Sequence, residues 1–124
     1  MTKMEEVNKL IKLRSERAKS AVSNLRGGKG ELIREDIFMP DEALDKLRLC
    51  GVITVPDGCS IGEHPHGPPE AEFYFVLSGS LQVTDNGITK ELSPGDAVFT
   101  GGGTTHSVIN ASGKDAVMLA VIVK

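Results

Sequence analysis

The chain has 124 residues, enough for one domain with a hydrophobic core and too few for two. Its formal net charge of -3 disfavours nucleic acid and anionic membranes as partners, and an aromatic content of 4% disfavours a surface for stacking bases. The longest uncharged apolar run, 116–123, is far shorter than a bilayer span.

Residues 2–26 are predicted to form an amphipathic α-helix, so that residues 1–28 make an N-terminal helical segment. Thr2 and Glu5 have the spacing of a capping box, and Gly27 would end the helix. Such a helix is expected to pack on its own domain or on a second subunit. Apolar residues recur three or four positions apart, at Met4, Val7, Ile11, Ala18, Val22 and Leu25.

The remaining residues, 29–124, are predicted to form one all-β domain of short strands. Asn86-Gly87 is a strong signal for a two-residue hairpin, because both residues tolerate a positive φ. Many short strands at even spacing are typical of a sandwich or a barrel. The candidate strands are 31–39, 47–55, 61–66, 72–78, 80–85, 88–92, 97–100, 105–110 and 115–123.

The last of these strands suggests an assembly. Residues 116–123 are apolar at every position, so both faces of the strand are expected to be covered. The barrel interior covers one face, and the N-terminal helix or a second subunit must cover the other. The sequence therefore predicts a homodimer. The N-terminus has no apolar block before a cleavage site, so no signal peptide is expected and the predicted location is the cytoplasm.

The three histidines and one glutamate have the pattern of a metal site. His64 and His66 are two residues apart, so on a strand their side chains share one face, which in a small barrel is the interior. Glu72 begins the next predicted strand, and His106 can add a third nitrogen from a later one. Imidazole nitrogens and a carboxylate oxygen are suitable ligands for a first-row divalent metal ion.

The spacing of these residues resembles the two sequence motifs of the cupin superfamily. The first motif is represented by Gly58, His64, His66, Glu72 and Gly79, and the second by Gly95, Gly101-Gly102-Gly103, His106 and Asn110. The resemblance implies a cupin jelly-roll barrel, or double-stranded β-helix. Within the superfamily, the stretches 24–30 and 72–79 are most similar to small single-domain, oxalate-decarboxylase-like proteins.

The first motif departs from the family pattern between His66 and Glu72, where the gap is longer than usual. Glu70 would restore the gap but would break the spacing to Gly79. That second spacing runs along a strand, whereas the gap is a loop that tolerates insertions. Glu72 is therefore assigned as the ligand, and Glu70 as a residue near the metal or at the rim of the site. In the second motif, Gly101 occupies the usual proline position.

The expected cofactor is one divalent transition-metal ion, with Mn or Fe preferred over Ni, Co or Zn. The predicted function is that of a metal-dependent enzyme acting on a small carboxylate or oxygenated metabolite, by decarboxylase- or dioxygenase-like chemistry. Tyr74 and Glu70 are the candidate catalytic residues, and Arg48, Tyr74 and Asn110 are the candidate substrate-binding residues. For Tyr74 and Arg48 a purely structural role is an open alternative.

A second function class fits the same residues. The open metal could bind a small molecule without converting it, so that the protein is a binding or sensing module. A third reading, a metal-free barrel that uses its histidines for isomerisation, is disfavoured because Glu72 and His106 are both present.

Overall fold

The N-terminal region is extended, and the predicted helix is wrong wherever it can be checked. In the computed structural model, which describes residues 11–124, a 3₁₀ turn at Arg14–Glu16 leads into a strand at Ala18–Ser23. This strand pairs antiparallel with Glu31–Asp36 over six residue pairs. Hydrogen bonds to a neighbouring strand therefore replace those that a helix would make internally. The remainder of the predicted helix, with its capping box, falls outside the described residues.

The glycines after the N-terminal strand form a hairpin loop instead of ending a helix. Asn24 and Arg26 adopt left-handed φ values of 51° and 54°, and a 3₁₀ turn spans Leu25–Gly27. The backbone N–H of Asn24 donates to the Gly30 carbonyl oxygen at 3.0 Å, which closes the loop. The hairpin therefore extends across residue 28, where the sequence analysis placed the boundary between the helical segment and the β domain.

Residues 11–124 contain ten strands, and nine of them match the strands that the sequence predicts within three residues at either end. Two of them, at 47–55 and 88–92, have the predicted bounds at both ends. The strands are β1 (Ala18–Ser23), β2 (Glu31–Asp36), β3 (Leu47–Val55), β4 (Ser60–Pro65), β5 (Ala71–Ser78), β6 (Leu81–Asp85), β7 (Ile88–Leu92), β8 (Ala97–Gly101), β9 (Thr105–Ile109) and β10 (Ala116–Val123).

The strands form two antiparallel sheets with jelly-roll topology. The larger sheet has the order β1-β2-β3-β10-β5-β8, and the smaller has the order β4-β9-β6-β7. Strands that are distant in the sequence lie next to each other in the sheets. β10, for example, pairs with both β3 and β5, so long connections must cross between the two sheets. Among the described residues, no helix is long and apolar enough to cross a bilayer.

The core lies between the sheets because alternate side chains of each strand point inward. Along β5, Glu72, Tyr74 and Val76 are buried, whereas Phe75 and Leu77 are exposed on the outside. The buried core comprises Leu32, Ile53, Val55, Ile61, Tyr74, Val76, Leu81, Val83, Leu92, Val108, Ala116, Met118 and Ala120.

Two irregularities in strand pairing change the direction of side chains near one end of the core. In β4, Ile61 is opposite Val108 and His64 is opposite His106, so one extra residue lies between these pairs. In β3, the pairing with β10 shifts around Arg48, which has no partner in the register. Bulges of this kind bend a strand and change the direction of a side chain. Both bulges lie beside the histidine cluster.

Candidate metal centre

The four predicted ligands come from both sheets and meet inside the barrel. His64 lies on β4, His66 follows that strand, and His106 lies on β9 of the same sheet. Glu72 reaches in from β5 of the opposite sheet. The exposed fractions are 7% for His64, 2% for His66, 3% for Glu72 and 1% for His106. Bulk water is therefore almost excluded from the ligand atoms.

The ligand atoms surround one point. Oε1 of Glu72 is 2.9 Å from Nε2 of His66, 3.1 Å from Nε2 of His106 and 3.9 Å from Nε2 of His64. The Nε2 atoms of His64 and His106 are 3.0 Å apart. One ligand atom from each residue lies within 4.8 Å of all the others. This arrangement can hold one metal ion.

Two of the three imidazoles, those of His64 and His106, are oriented by contacts outside the cluster. Nδ1 of His64 donates to the Gly62 carbonyl oxygen at 2.7 Å, so its Nε2 keeps a free lone pair directed at the centre. The His106 ring stacks on Tyr74, with centroids 5.0 Å apart and planes 6° from parallel. Among residues 11–124, Nδ1 of His106 has no hydrogen-bond partner. The His106 ring is therefore held by stacking on Tyr74 and by the contacts of its Nε2 atom with His64 and Glu72.

For Glu72 and His66, electrostatics favour the protonation states that a metal requires. Burial alone would raise the pKa of Glu72, but the polar side chains of His106, His64 and Tyr74 around it outweigh this effect and hold that pKa at about 2. Burial also lowers the pKa of His66, against the opposing charge of Glu72. An ionised carboxylate and a neutral imidazole are the forms that bind a cation. Three nitrogens and one oxygen are therefore a suitable ligand set for a first-row divalent ion.

The cluster opens into a cavity of about 150 Å³ with both apolar and cationic walls. Three arginines contribute to the lining, one each from the β1–β2 loop, β2 and β3. The full lining is Val22, Leu25, Arg26, Leu32, Arg34, Arg48, Leu49, Ile53, Ile61, His64, His66, Glu72, Tyr74 and Ile122. A small anion bound next to the ligands would thus face guanidinium groups.

Arg48 and Glu70, two residues selected from the sequence, pair at the rim of this cavity. Nε of Arg48 donates to Oε2 of Glu70, and this hydrogen bond is the main cause of the lowered pKa of the Glu70 carboxyl. The other Glu70 oxygen is 4.0 Å from Nδ1 of His66. Glu70 therefore lies on the outer side of a ligand, while Glu72 occupies the centre.

Tyr74 is buried inside the cavity, with 2% of its surface exposed. Its phenol interacts electrostatically with the carboxylate of Glu72. Burial, followed by the nearby charge of Glu72, raises the pKa of this phenol well above its usual value. Tyr74 is therefore a neutral hydrogen-bond donor beside the ligand cluster.

Asn110, which the sequence nominated for substrate binding, does not line the cavity. Its side-chain nitrogen donates to the carbonyl oxygens of Val55 and Lys114, each at 2.7 Å. Its side-chain oxygen accepts from the backbone N–H and the hydroxyl of Ser112. These bonds use both groups of the amide, so we assign Asn110 to holding the loop before β10 and not to substrate.

Arg26 and Arg34 line the cavity but were missed by the sequence analysis. The predicted helix placed Arg26 near a helix end, and nothing in the sequence alone brings that end to β4. Arg34 shares its face of β2 with the buried residues Leu32 and Asp36. A charged residue that lies on the same face of a strand as buried residues is expected to point into a core or a site. This alternation could have identified Arg34 from the sequence.

Comparisons with known proteins agree with this geometry. A family model described as a cupin domain matches residues 51–122. An oxalate-binding protein of Thermotoga maritima is 35% identical over 120 residues, which cover 97% of this chain and 98% of that protein. A dimethylsulfoniopropionate lyase of Ruegeria pomeroyi is 30% identical over 80 residues, or 64% of this chain and 51% of the lyase.

Solved structures give the same result for the fold. The crystal structure of a predicted oxalate decarboxylase from Thermotoga maritima superposes with a TM-score of 0.86 at 35% identity, covering 91% of this chain and 97% of that one. KdgF from Halomonas sp. has a TM-score of 0.72 at 18% identity, with 91% of each chain covered, and shows the shared fold alone. Since the domain model matches more than half of the chain and a relative matches nearly all of it, this protein belongs to the cupin family.

Proposed function

We propose that this protein binds one divalent transition-metal ion and acts on a small carboxylate, or another small oxygenated metabolite, beside that ion. The ligands would be His64, His66, His106 and Glu72. The observation that carries the proposal is the opening of this buried cluster into an arginine-lined cavity. Decarboxylation and O2-dependent oxidation are the two reaction types that suit such a site.

The ion would be Mn²⁺ or Fe²⁺, with Ni²⁺, Co²⁺ and Zn²⁺ as alternatives. Imidazole and carboxylate ligands accommodate all of these ions. When bound, the ion would supply a Lewis acid that polarises an oxygen of the ligand. The single carboxylate among the four residues leaves the centre with a net positive charge, which favours an anionic ligand.

The residues of the chain would bind and orient that ligand. Arg48 faces the cavity from its bulge and can donate two hydrogen bonds to a carboxylate. Glu70 holds Arg48 at the rim, so we propose that Glu70 positions this arginine instead of touching the substrate. Tyr74 keeps its proton and is the candidate catalytic residue, either as a donor to the ligand or through its electrostatic interaction with Glu72.

The apolar wall of the cavity would keep water away from the bound ligand. Leu25, Leu32, Ile53, Ile61 and Ile122 all contribute to this wall. Excluding water strengthens the interaction of the arginines with an anion, because the local dielectric constant falls.

A second function, in which the protein binds the ligand without converting it, is favoured by one specific observation. The relative that matches 97% of this chain is named an oxalate-binding protein. In this case the same ion and arginines would bind a small acid without converting it, and the protein would sense the acid through its bound state.

Turnover separates the two functions. The protein is loaded with Mn²⁺ or Fe²⁺ and offered a panel of small acids, while O2 consumption and CO2 release are recorded. Consumption of one acid, lost in the His106→Ala variant, is the result expected for an enzyme. A rise in melting temperature with one acid but without turnover would assign the binding function. If no acid is consumed and none shifts the melting temperature, both are contradicted.

A further inference from the structure

His106 differs from the other two histidine ligands in what its outer nitrogen contacts. Nδ1 of His64 donates to the Gly62 carbonyl oxygen, and Nδ1 of His66 lies 4.0 Å from a carboxylate oxygen of Glu70. Nδ1 of His106 is buried and has no hydrogen-bond partner among the described residues. Histidines that bind a metal usually donate this second N–H to an oxygen, which fixes the tautomer of the ring. An acceptor for His106 is therefore expected close to its ring.

Asp85 carries a buried oxygen that lacks a partner in the same way. Its Oδ1 accepts no hydrogen bond from any residue of the described part of the chain. Three buried side-chain atoms of residues 11–124 share this property, and the third, Nε of Arg34, belongs to the other sheet. A buried donor and a buried acceptor without partners each cost free energy. A single link between Asp85 and His106 would remove both penalties.

The pairing of β6 with β9 places these two residues opposite each other. Asp85 is the register partner of His106. At the next pair along, the backbone N–H of Asn86 donates to the Thr105 carbonyl oxygen at 3.0 Å. Hydrogen-bonded and non-hydrogen-bonded pairs alternate along antiparallel strands. Asp85 and His106 therefore form a non-hydrogen-bonded pair, the kind whose side chains lie closer together.

Both side chains also lie on the inner face of the smaller sheet. Along β6, Leu81 and Val83 are buried, and Asp85 continues the same alternation. Along β9, Val108 is buried in phase with His106. Side chains two residues apart on a strand share a face. Asp85 thus projects toward the same interior as the histidine ligand.

One water molecule is enough to join the two groups, which form no direct hydrogen bond. A buried water needs at least two polar partners, and Oδ1 of Asp85 and Nδ1 of His106 are one acceptor and one donor. Asp85 also lines a second cavity of about 180 Å³, which gives water a route to its carboxylate. This cavity shares no lining residue with the arginine-lined cavity. The water can therefore reach His106 without entering the space proposed for the substrate.

We infer that Asp85 is a positioning residue for His106, whose Nδ1–H it holds through one bridging water molecule. With the proton fixed on Nδ1, Nε2 keeps the free lone pair that faces the ligand cluster, and the carboxylate makes this nitrogen a stronger ligand. The inference rests on the proposed function, because His106 is a ligand of the metal centre proposed there. It adds a carboxylate outside the set of four ligands.

NMR of the imidazole nitrogens tests this inference on the full, isotope-labelled chain loaded with diamagnetic Zn²⁺. In the wild type, we expect Nδ1 of His106 to carry a proton whose resonance is shifted downfield by its hydrogen bond. Asp85→Val removes the acceptor and should shift this resonance upfield. Zn²⁺ affinity, measured by competition with a chelator, should fall about 10- to 100-fold in this variant. Asp85→Asn keeps an oxygen acceptor without the charge, so its affinity should lie between those of the wild type and Asp85→Val.

The stability of the metal-free protein separates positioning from a purely structural role. Because Oδ1 of Asp85 is bonded to no other described residue, Asp85→Val should not lower the melting temperature of the metal-free protein. A lower melting temperature with an unchanged His106 resonance is the pattern of a structural role and would overturn the inference. Asp115→Asn, at an exposed aspartate just before β10, is the matched control and should bind Zn²⁺ like the wild type.

The remaining outcomes are also decisive. If Asp85→Val does not fold, Asp85→Asn decides by the same NMR and affinity measurements. Unchanged Zn²⁺ affinity or an unchanged His106 resonance in the Asp85 variants would overturn the inference alone. If the wild type binds no Zn²⁺, the proposed metal centre fails together with it.

Discussion

Glu72 remains ionised inside the barrel although burial opposes its charge. The reason lies in its neighbours, because the polar side chains of His106, His64 and Tyr74 surround the same carboxylate and lower its pKa. Glu70, only two residues earlier, is partly exposed and is bonded to Arg48 instead. Two carboxylates close together in the sequence thus have different surroundings, and only one of them faces the three imidazoles.

This difference predicts different effects of the same substitution. Glu72→Gln removes the only charge among the four ligands and should weaken metal binding by at least about 10-fold. Glu70→Gln leaves all four ligands intact and should change metal affinity little. Metal content after dialysis, measured by elemental analysis, compares the two variants. The opposite order would show that Glu70 is the ligand.

The histidines permit an independent test of the same centre. His64→Ala and His106→Ala each remove one nitrogen ligand and should leave the purified protein with much less metal than the wild type. Added Mn²⁺ should raise the melting temperature of the wild type, because a ligand that binds only the folded state stabilises it, and should raise that of the variants little. Equal metal content in all three proteins would exclude the proposed centre.

At the level of elements, the bulge in β4 decides where the histidines point. In a regular strand, residues that share a face with Ile61 would be 63 and 65, yet His64 and His66 are the buried ones. The extra residue at 62–63 produces this change of face. Gly62 also lies directly against the loop that carries Arg26, since a Cβ at this position would collide with the Arg26 carbonyl oxygen.

We therefore predict that Gly62→Ala destabilises the fold and disturbs the site. The added methyl group must displace backbone, not a flexible side chain, at a cost of about 1–3 kcal/mol. Gly67→Ala is the matched control, because a Cβ there meets no atom within 4 Å and its φ is not left-handed. Urea unfolding of both variants measures the difference. Equal stabilities would mean that the Arg26 loop is not packed closely on β4.

At the level of the whole molecule, the large sheet presents an apolar outer face. Phe99 on β8 is 67% exposed, and Phe75 and Leu77 on β5 are 38% and 46% exposed. Phe73 lies opposite Phe99, and Leu119 of β10 lies opposite Phe75, so these side chains form one continuous surface. Exposed apolar patches of this kind commonly mark protein interfaces. A second copy of the chain is the partner that the sequence predicts.

Light scattering tests the predicted homodimer. The wild type should have the mass of two chains at micromolar concentration. Leu119→Glu places a charge in the middle of the apolar face and should shift the mass toward one chain. Ile88→Glu, at an exposed position on β7 of the other sheet, is the matched control and should leave the dimer intact. A wild-type mass of one chain would contradict the prediction.

The sequence predicted most of the β architecture because strand signals are local. β3 and β7 have the predicted bounds, since each is a short segment enclosed by turn residues. The inward side of β5 followed from alternation alone. The N-terminal prediction failed because apolar residues at helical spacing also fit an edge strand, and only pairing with β2 decides between them.

The sequence by itself determined the β-rich fold and the set of four residues that meet at the candidate centre, because strand periodicity and residue spacing are properties of neighbouring residues. The tertiary structure decided which charged groups surround that centre. Arg26, Arg34 and Arg48 reach the cavity through a loop, a strand pairing and a bulge, and Asn110 is held away by bonds to distant backbone. Such placements depend on contacts between segments far apart in the chain, which no local pattern encodes.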